Sequence, residues 1–341
     1  MLFDVTRFFI FFLVVSACSA APVEPAPNLR ETKVEEVAPP KEIAPPVQPK
    51  SEPRAFRVAV VSDLNSSYGS LEYTPEVHET VRWLSEESRP DLVLSTGDMV
   101  AGMRRGLNYR AMWDSFLGNV VQPLDPIPFL PTPGNHDGAP NFAEEREEYL
   151  KTWTPRKPEL NWVSDESWPT QYAFRFGGVL FISLDFSTVR WLDEEERVWL
   201  EDLLKDSERS VIFTHVPLHP IAAGRSREAT RDRALEELLS RHPVTLIHGH
   251  HHAYFRHRHN GISTISMPCL GTGARKLKGQ ADAAENGVVI LEFDDKEFAD
   301  TLVAAPSFET RDLSTLPSTL DWEDSSIELY LGPLFCEART C

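Results

Sequence analysis

With 341 residues, 41% of them hydrophobic and 25% charged, the chain is long enough for one sizeable α/β domain with extensions and too short for two large independent ones. A formal net charge of -18 excludes a surface that tracks duplex nucleic acid phosphates, which would have to be basic. The charge is uneven: residues 294–341 hold eleven Asp or Glu against three Lys or Arg, the composition of a solvated surface extension.

The chain opens on Arg7 and the apolar run Phe8 to Val15, too short to remain as a membrane span and followed by small residues, which reads as a secretory leader over residues 1–18. Val15-Ser16-Ala17-Cys18 resembles a bacterial lipobox. Cleavage before Cys18 would expose it for lipidation, and Ser19 beside it resembles the pattern sent to an outer membrane. Cleavage after Ala20 is the competing reading and would release a soluble periplasmic or secreted protein. Residues 19–54 shift to Pro, Glu, Ala and Val, with nine prolines between Ser19 and Pro53. Such a segment is a disordered, semi-extended tether that reaches on the order of 100 Å at full stretch. With Cys18 lipidated, three cysteines remain, and Cys336 with Cys341 is the pair expected to pin the tail in an oxidising compartment.

The folded domain is expected over residues 55–298, with an acidic C-terminal extension over 299–341. Phe56 to Ser62 reads as a buried strand ending in Asp63-Leu64-Asn65, and Thr74 to Ser88 as a helix with Val77, Val81 and Leu84 on one face. Asp91 to Thr96 is a second strand, ending in Gly97-Asp98. Helices are expected over Tyr109–Leu117 and Phe142–Trp153, on either side of Pro131-Thr132-Pro133-Gly134, which turns the chain into Asn135-His136-Asp137. Gln171 to Asp185 reads as a hairpin, and 193–204 as a helix whose Asp193-Glu194-Glu195-Glu196 start complements the helix dipole. Val211 to Thr214 delivers His215, a helix follows over 230–240, and Val244 to Ile247 delivers His248-Gly249-His250-His251-His252. In extended chain His250 and His252 face one side and His251 the other. Strands alternating with helices, then a strand-rich end over 262–293, predict two mixed β-sheets sandwiched between helices.

Four strands thus end in a potential metal ligand, where open α/β sheets place their sites. Each cluster also has an ordinary reading. An Asp after a strand is commonly a turn former or helix cap, a lone His commonly a satisfied core residue, and Gly134 to Asp137 could be a plain tight turn. Three adjacent imidazoles are harder to explain by packing, because they repel one another when charged.

Together and in this order the clusters resemble the calcineurin-like metallophosphoesterase superfamily, whose pattern is Asp-x-His, Gly-Asp, Gly-Asn-His-Asp/Glu, a strand-terminal His and Gly-His-x-His. The resemblance spans roughly Phe56 to Phe293. It implies a four-layer fold and one metal ion held by Asp63, Asp98 and His252, with a second held by Asp98, Asn135, His215 and His250. Asp98 would bridge the two, and the ions would be Mn, Fe, Zn or Mg, held about 3.5–4 Å apart to activate a water and clamp phosphoryl oxygens. By the same resemblance His136 reaches the leaving-group side as a proton or hydrogen-bond donor, with Asp137 orienting its ring. The first block departs from the pattern: Asn65 stands where a His would ligate the first metal, so that site should bind less tightly or prefer a harder ion. The Ser66 to Ser70 loop could replace part of the coordination or be an ordinary Ser/Gly loop. Ala101 stands where the purple acid phosphatase branch needs a Tyr, so the chain departs from that branch.

Cations for the substrate phosphate are expected from Arg104 and Arg105 on one loop and Arg275 and Lys276 on another, although exposed Gly-rich loops carry such charge for solubility alone. Trp162, Trp168 and Tyr172 could wall the site or belong to the core. The expected protein is an exported, lipid-anchored monomer that hydrolyses small phosphate mono- or diesters. Its rival is a binding lipoprotein that keeps the scaffold and has lost turnover through Asn65.

Overall fold

In the computed structural model of the protein the described residues are 55–294, 298–322 and 325–335. The leader with Cys18, the tether, and the Cys336 and Cys341 pair lie outside them. In chain order the strands are β1 (Phe56–Val61), β2 (Leu92–Ser95), β3 (Phe129–Pro131), β4 (Asn161–Ser167), β5 (Gln171–Phe176), β6 (Val179–Ser183) and β7 (Ser210–Thr214). They continue with β8 (Val244–His248), β9 (Phe255–His259), β10 (Ile262–Ser266), β11 (Gly287–Phe293), β12 (Phe298–Ala304), β13 (Thr319–Trp322) and β14 (Ser325–Leu329). The helices are α1 (Pro75–Trp83), α2 (Tyr109–Phe116), α3 (Gln122–Leu124), α4 (Ala143–Trp153), α5 (Glu194–Lys205) and α6 (Arg233–Leu239).

Among the described residues the strands form a five-stranded sheet, β12-β11-β1-β2-β3, and a nine-stranded sheet, β13-β14-β9-β10-β8-β7-β6-β5-β4. In the first, β1, β2 and β3 run parallel while β11 and β12 are antiparallel neighbours. In the second, β6, β7, β8 and β10 form a parallel centre with antiparallel flanks. The parallel strands are buried on both faces, which is why they read as continuous apolar runs. Val58, Leu94 and Leu291 of the first sheet meet Phe181, Phe213 and Ile247 of the second between the layers. The opposite faces carry Ala59, Val93 and Ile290 against Val81, Trp113 and Trp153 of α1, α2 and α4. On the far side Ile182, Ile212 and Leu246 pack against Leu200 and Leu204 of α5 and Leu235 and Leu239 of α6. The predicted sandwich of two sheets between helices is the fold observed.

Local chemistry sets the helix starts. Pro75 opens α1, where its missing N–H costs nothing, and Asp193 caps α5 in a reciprocal pair of bonds with Glu196, each 2.9 Å. The acidic start of α5 thus lies at the helix N-terminus, where it complements the dipole as expected, and it adds a capping box beyond that expectation.

Two expectations need correction, and one open alternative resolves. The acidic tail is not a mere surface extension, because β12 completes the edge of the first sheet and β13 and β14 extend the second. The boundary expected after residue 298 therefore falls inside a strand. The reason is alternation: Phe298, Asp300, Leu302 and Ala304 point one way along β12, so an acidic average conceals a buried face, with Asp300 compensated by the Arg256 guanidinium at 2.8 Å and by the Tyr254 hydroxyl at 2.6 Å. Second, of the two readings open for Trp168 and Tyr172 the core one holds: they pack with Trp162 at centroid distances of 5.2 and 5.6 Å. Third, the 250–252 segment is not extended, since His250 and His252 adopt φ of 66° and 50°.

Phe181 is fully buried between the sheets, stacked on Phe174 at 5.2 Å and edge-on to Phe293 at 5.8 Å. Phe181→Ala is expected to lower the unfolding free energy by about 3–5 kcal/mol. Val198→Ala, at an exposed position on α5, should change it by less than about 0.5 kcal/mol in the same denaturant titrations.

Candidate metal centre

The candidate ligands converge because each strand of the two parallel centres ends at the same edge. Asp63 and Asp98 follow β1 and β2, His215 follows β7, and His250 and His252 follow β8. Four of them, Asp63, Asp98, His250 and His252, have φ between 50° and 66°. This left-handed turn is sparsely populated by residues with a side chain, and clusters of it mark functional sites. Close approach is secured by Gly97 and Gly134, whose backbones touch: a Cβ on Gly97 would lie 2.6 Å from Gly134 N, and one on Gly134 only 2.2 Å from Asp98 N.

Asp63, Asp98 and His252 offer one ligand atom each, all within 4.8 Å of one another and all buried. His252 Nε2 lies 3.1 Å from Asp63 Oδ1, and that buried oxygen has no aligned hydrogen bond among the described residues. The other Asp63 oxygen accepts from Ser62 Oγ at 2.5 Å and from His250 N at 3.1 Å. Next to this group, His215 Nε2 lies 2.9 Å from Asn135 Oδ1, 3.2 Å from His250 Nδ1 and 3.4 Å from Asp98 Oδ1. Carboxylate, imidazole and amide donor atoms gathered this closely fit a pair of divalent ions.

The ring orientations agree with that use. His215 Nδ1 donates to Thr96 O at 2.8 Å and His252 Nδ1 to Gly273 O at 3.0 Å, so each turns Nε2 inward, the arrangement by which a backbone carbonyl fixes a ligating histidine. His250 is reversed, with Nδ1 inward and Nε2 3.2 Å from Glu228 Oε2. His251 turns away, accepting from Ile221 N at 3.2 Å and donating to Glu228 O at 3.1 Å, a neutral core histidine that holds the 221–228 loop.

Electrostatics follow from burying like charges together. Burial opposes ionisation of Asp98, but the His215 and His136 imidazoles hold its carboxyl well below the usual range, and His252 does the same for Asp63. Burial works against a charge on His215 and His252 too, yet Asp98 and Asp63 push them up to about 9 and about 10. His250 goes the other way, to about 3, through burial and the charge of His215. The charged form of His215 and of His252 is therefore favoured by the carboxylate each faces.

The other predicted residues divide. His136 N donates to Asp98 Oδ1 at 2.9 Å, and its ring Nδ1 donates to Gly102 O at 3.3 Å, which leaves Nε2 4.0 Å from Asp98 Oδ2. Asp137 does not orient that ring. Its carboxylate accepts from Met99 N, Val100 N and Gly134 N at 2.8–2.9 Å, so it fixes the loop behind Asp98 instead. The Asn65 amide donates to Val100 O at 3.3 Å, and its backbone N–H to Asp98 O at 3.1 Å. Arg104 stacks over the Tyr68 ring at 3.8 Å, and that ring lies 5.3 Å from His136, so the pair borders the site. Arg105 is exposed beside Asn141 and Glu144, and Lys276 donates to Ala281 O of its own loop. Arg275 N donates to His252 O, and its Nε is buried without a partner among the described residues.

Arg225 and Glu228 were missed. Arg225 pairs with Glu228, and its guanidinium is held below its usual value by burial and by the nearby Arg275, while Asp63 and Asp98 oppose the shift. The only sequence signal for them was a mixed-charge loop between His215 and α6.

Comparison with known proteins agrees with this geometry. Residues 56–254, more than half of the chain, match the profile of the calcineurin-like phosphoesterase family. A probable glycerophosphodiester phosphodiesterase of Arcobacter nitrofigilis is 32% identical over 138 residues, which are 40% of this chain and 44% of that protein, so the match spans under half of the relative's length. In fold the chain is similar to a purple acid phosphatase from yellow lupin (Lupinus luteus) seeds, with a TM-score of 0.60 and 16% identity over 76% of this chain and 53% of that one. It is similar likewise to a dimetal phosphatase from Danio rerio, with a TM-score of 0.51 and 17% identity over 81% and 99% of the two chains. The chain is a member of the calcineurin-like phosphoesterase family.

Proposed function

We propose that the protein hydrolyses phosphate esters at a centre for two divalent ions, with small phosphodiesters as the preferred class. The observation that carries this reading is the convergence of Asp63, Asp98 and His252 with Asn135, His215 and His250. Ions held there, one by Asp63, Asp98 and His252 and one by Asp98, Asn135, His215 and His250, would act as Lewis acids on phosphoryl oxygens and lower the pKa of water. Mn, Fe, Zn and Mg all suit parts of this mixed oxygen and nitrogen set. The diester preference rests on the relative of Arcobacter nitrofigilis, which is described as a probable glycerophosphodiester phosphodiesterase.

The chain's own groups have separable roles in this reading. Arg225 and Arg275, near enough to repel each other while both remain charged, would pair with the ester anion. His136, with Nδ1 committed to Gly102 O, can hold a proton at Nε2 and release it to the departing alkoxide. Asp137 is a positioning residue that keeps the backbone after Asp98 in place.

Asp98→Ala should abolish hydrolysis of aryl phosphate mono- and diesters with Mn, Mg, Zn or Fe added, while the wild type turns over. Equal background rates for both proteins with every metal would favour the rival reading of a non-catalytic binding protein. His136→Ala should lower kcat by about 100-fold or more on alkyl diesters, whose leaving group needs a proton, and by much less on p-nitrophenyl esters. A loss independent of leaving group would remove His136 from the proton-donor role.

pH supplies a second check. The folded-state values of about 9 for His215 and about 10 for His252 lie above the ordinary 6.5, so these imidazolium pairs stabilise the metal-free fold fully below about pH 6.5. That contribution is lost as pH rises through 9 and 10. Divalent ions need the same rings deprotonated, so each displaced proton should raise metal affinity about tenfold per pH unit below its pKa. Calorimetric titration with Mn in buffers of different ionisation enthalpy should show proton release at pH 7.5 and much less at pH 10. No buffer dependence would contradict the assignment.

A further inference from the structure

Away from the phosphoesterase centre, three residues from separate elements point ligand atoms at one spot. His219 belongs to the loop after β7, Glu236 to α6 and His259 to the end of β9. One ligand atom from each lies within 4.8 Å of the other two. His219 Nε2 is 3.3 Å and His259 Nε2 is 3.5 Å from Glu236 Oε1, with the imidazole centroids 4.7 Å apart and their planes at 69°. Four-coordinate zinc with bonds of about 2.0–2.1 Å spaces its ligand atoms about 3.3 Å apart, so the separations on Glu236 are those of a tetrahedral site.

We infer that His219, Glu236 and His259 form a second, independent binding site for zinc or a similar borderline divalent ion, with one coordination position open to water.

The donor set selects the class of ion. Two imidazoles and one carboxylate suit zinc, cobalt or nickel, whereas Ca and Mg call for shells of oxygen. The side chains are 11%, 16% and 28% exposed, enough for an ion and a water to enter and too little for three independent solvated groups. The carboxylate is already held, since Asn260 Nδ2 donates to Glu236 Oε1 at 2.8 Å, the kind of outer contact that orients a ligating oxygen. Below the three lies His257, two residues earlier on the same face of β9, with its ring 6.2 Å from that of His219. It is 1% exposed, and neither ring nitrogen has a hydrogen-bond partner among the described residues, so unsatisfied lone-pair donors continue into the floor of the site. The group shares no residue with the Asp63 and Asp98 centre. An ion here would fasten the post-β7 loop and α6 to the β9-β10 hairpin, adding to the Asn260 to Glu236 hydrogen bond that already links α6 with the hairpin turn.

The test uses the full-length protein and zinc alone. In an Asp98→Ala background, chosen to weaken the phosphoesterase centre, protein loaded with zinc and passed through a desalting column should retain one equivalent by elemental analysis. Adding His259→Ala or Glu236→Gln should remove that equivalent, with folding verified by circular dichroism. Cobalt in place of zinc should give a visible absorption band that the same substitutions abolish. If the Asp98→Ala background does not fold, the comparison is wild type against His259→Ala, expected to differ by one equivalent. Folded protein that retains the same zinc with and without His259 and Glu236, or an Asp98→Ala protein that folds and retains none, would overturn the assignment.

Discussion

Two carboxylates buried side by side, Asp63 and Asp98, set the terms for everything around them. Neither can be ionised out of water unless positive charge is close at hand, and His215, His252 and His136 are placed to supply it. The same demand explains the backbone. Four of the converging residues occupy left-handed conformations that cost on the order of 1–3 kcal/mol each, although Asp and His bear that conformation more readily than most residues. The packed strands behind them over-determine those turns, and the glycine contact between the second and third strand ends lets the loops approach closely enough. A rigid sandwich thus holds an arrangement that isolated loops would not keep.

Local electrostatics also separate the site from the rest of the surface. The chain carries a formal charge of -18, which by itself would slow the approach of an anionic ester. Arg225 and Arg275, with Arg104 stacked on Tyr68 at the border, place positive charge against that background near the centre. Glu228 engages both Arg225 and His250 and so links a guanidinium at the border to a ring among the converging residues.

Much of this was legible in the sequence because strands buried on both faces write themselves as apolar runs and the ligands stand where those runs stop. Asp63, Asp98, His215, His250 and His252 were found on that basis and are brought together in space. What escaped was whatever depends on partners far apart in sequence. The carboxylate of Asp137 was assigned to the neighbouring ring, yet three backbone amides take it, since a buried carboxylate goes to the strongest nearby donors and sequence adjacency says nothing of that. For Trp168 and Tyr172 a binding wall and the core were both open from sequence, and burial between the sheets decides for the core. His219, Glu236 and His259 carry no spacing signature at all, and only the packing of a helix against a hairpin end brings them together.

The placement of the last strands bears on how the chain acquires its structure. The first strand of the domain pairs with residues 289–293, more than two hundred positions later, and the outer strand beside that pair comes later still. Contacts of such long range require large loops to close before they repay their entropy, so assembly should be slow compared with that of locally connected folds. A nascent chain emerging from the ribosome would hold both sheets with unpaired edges until residues 287–329 are available, and those edges are the part most exposed to mispairing with other chains.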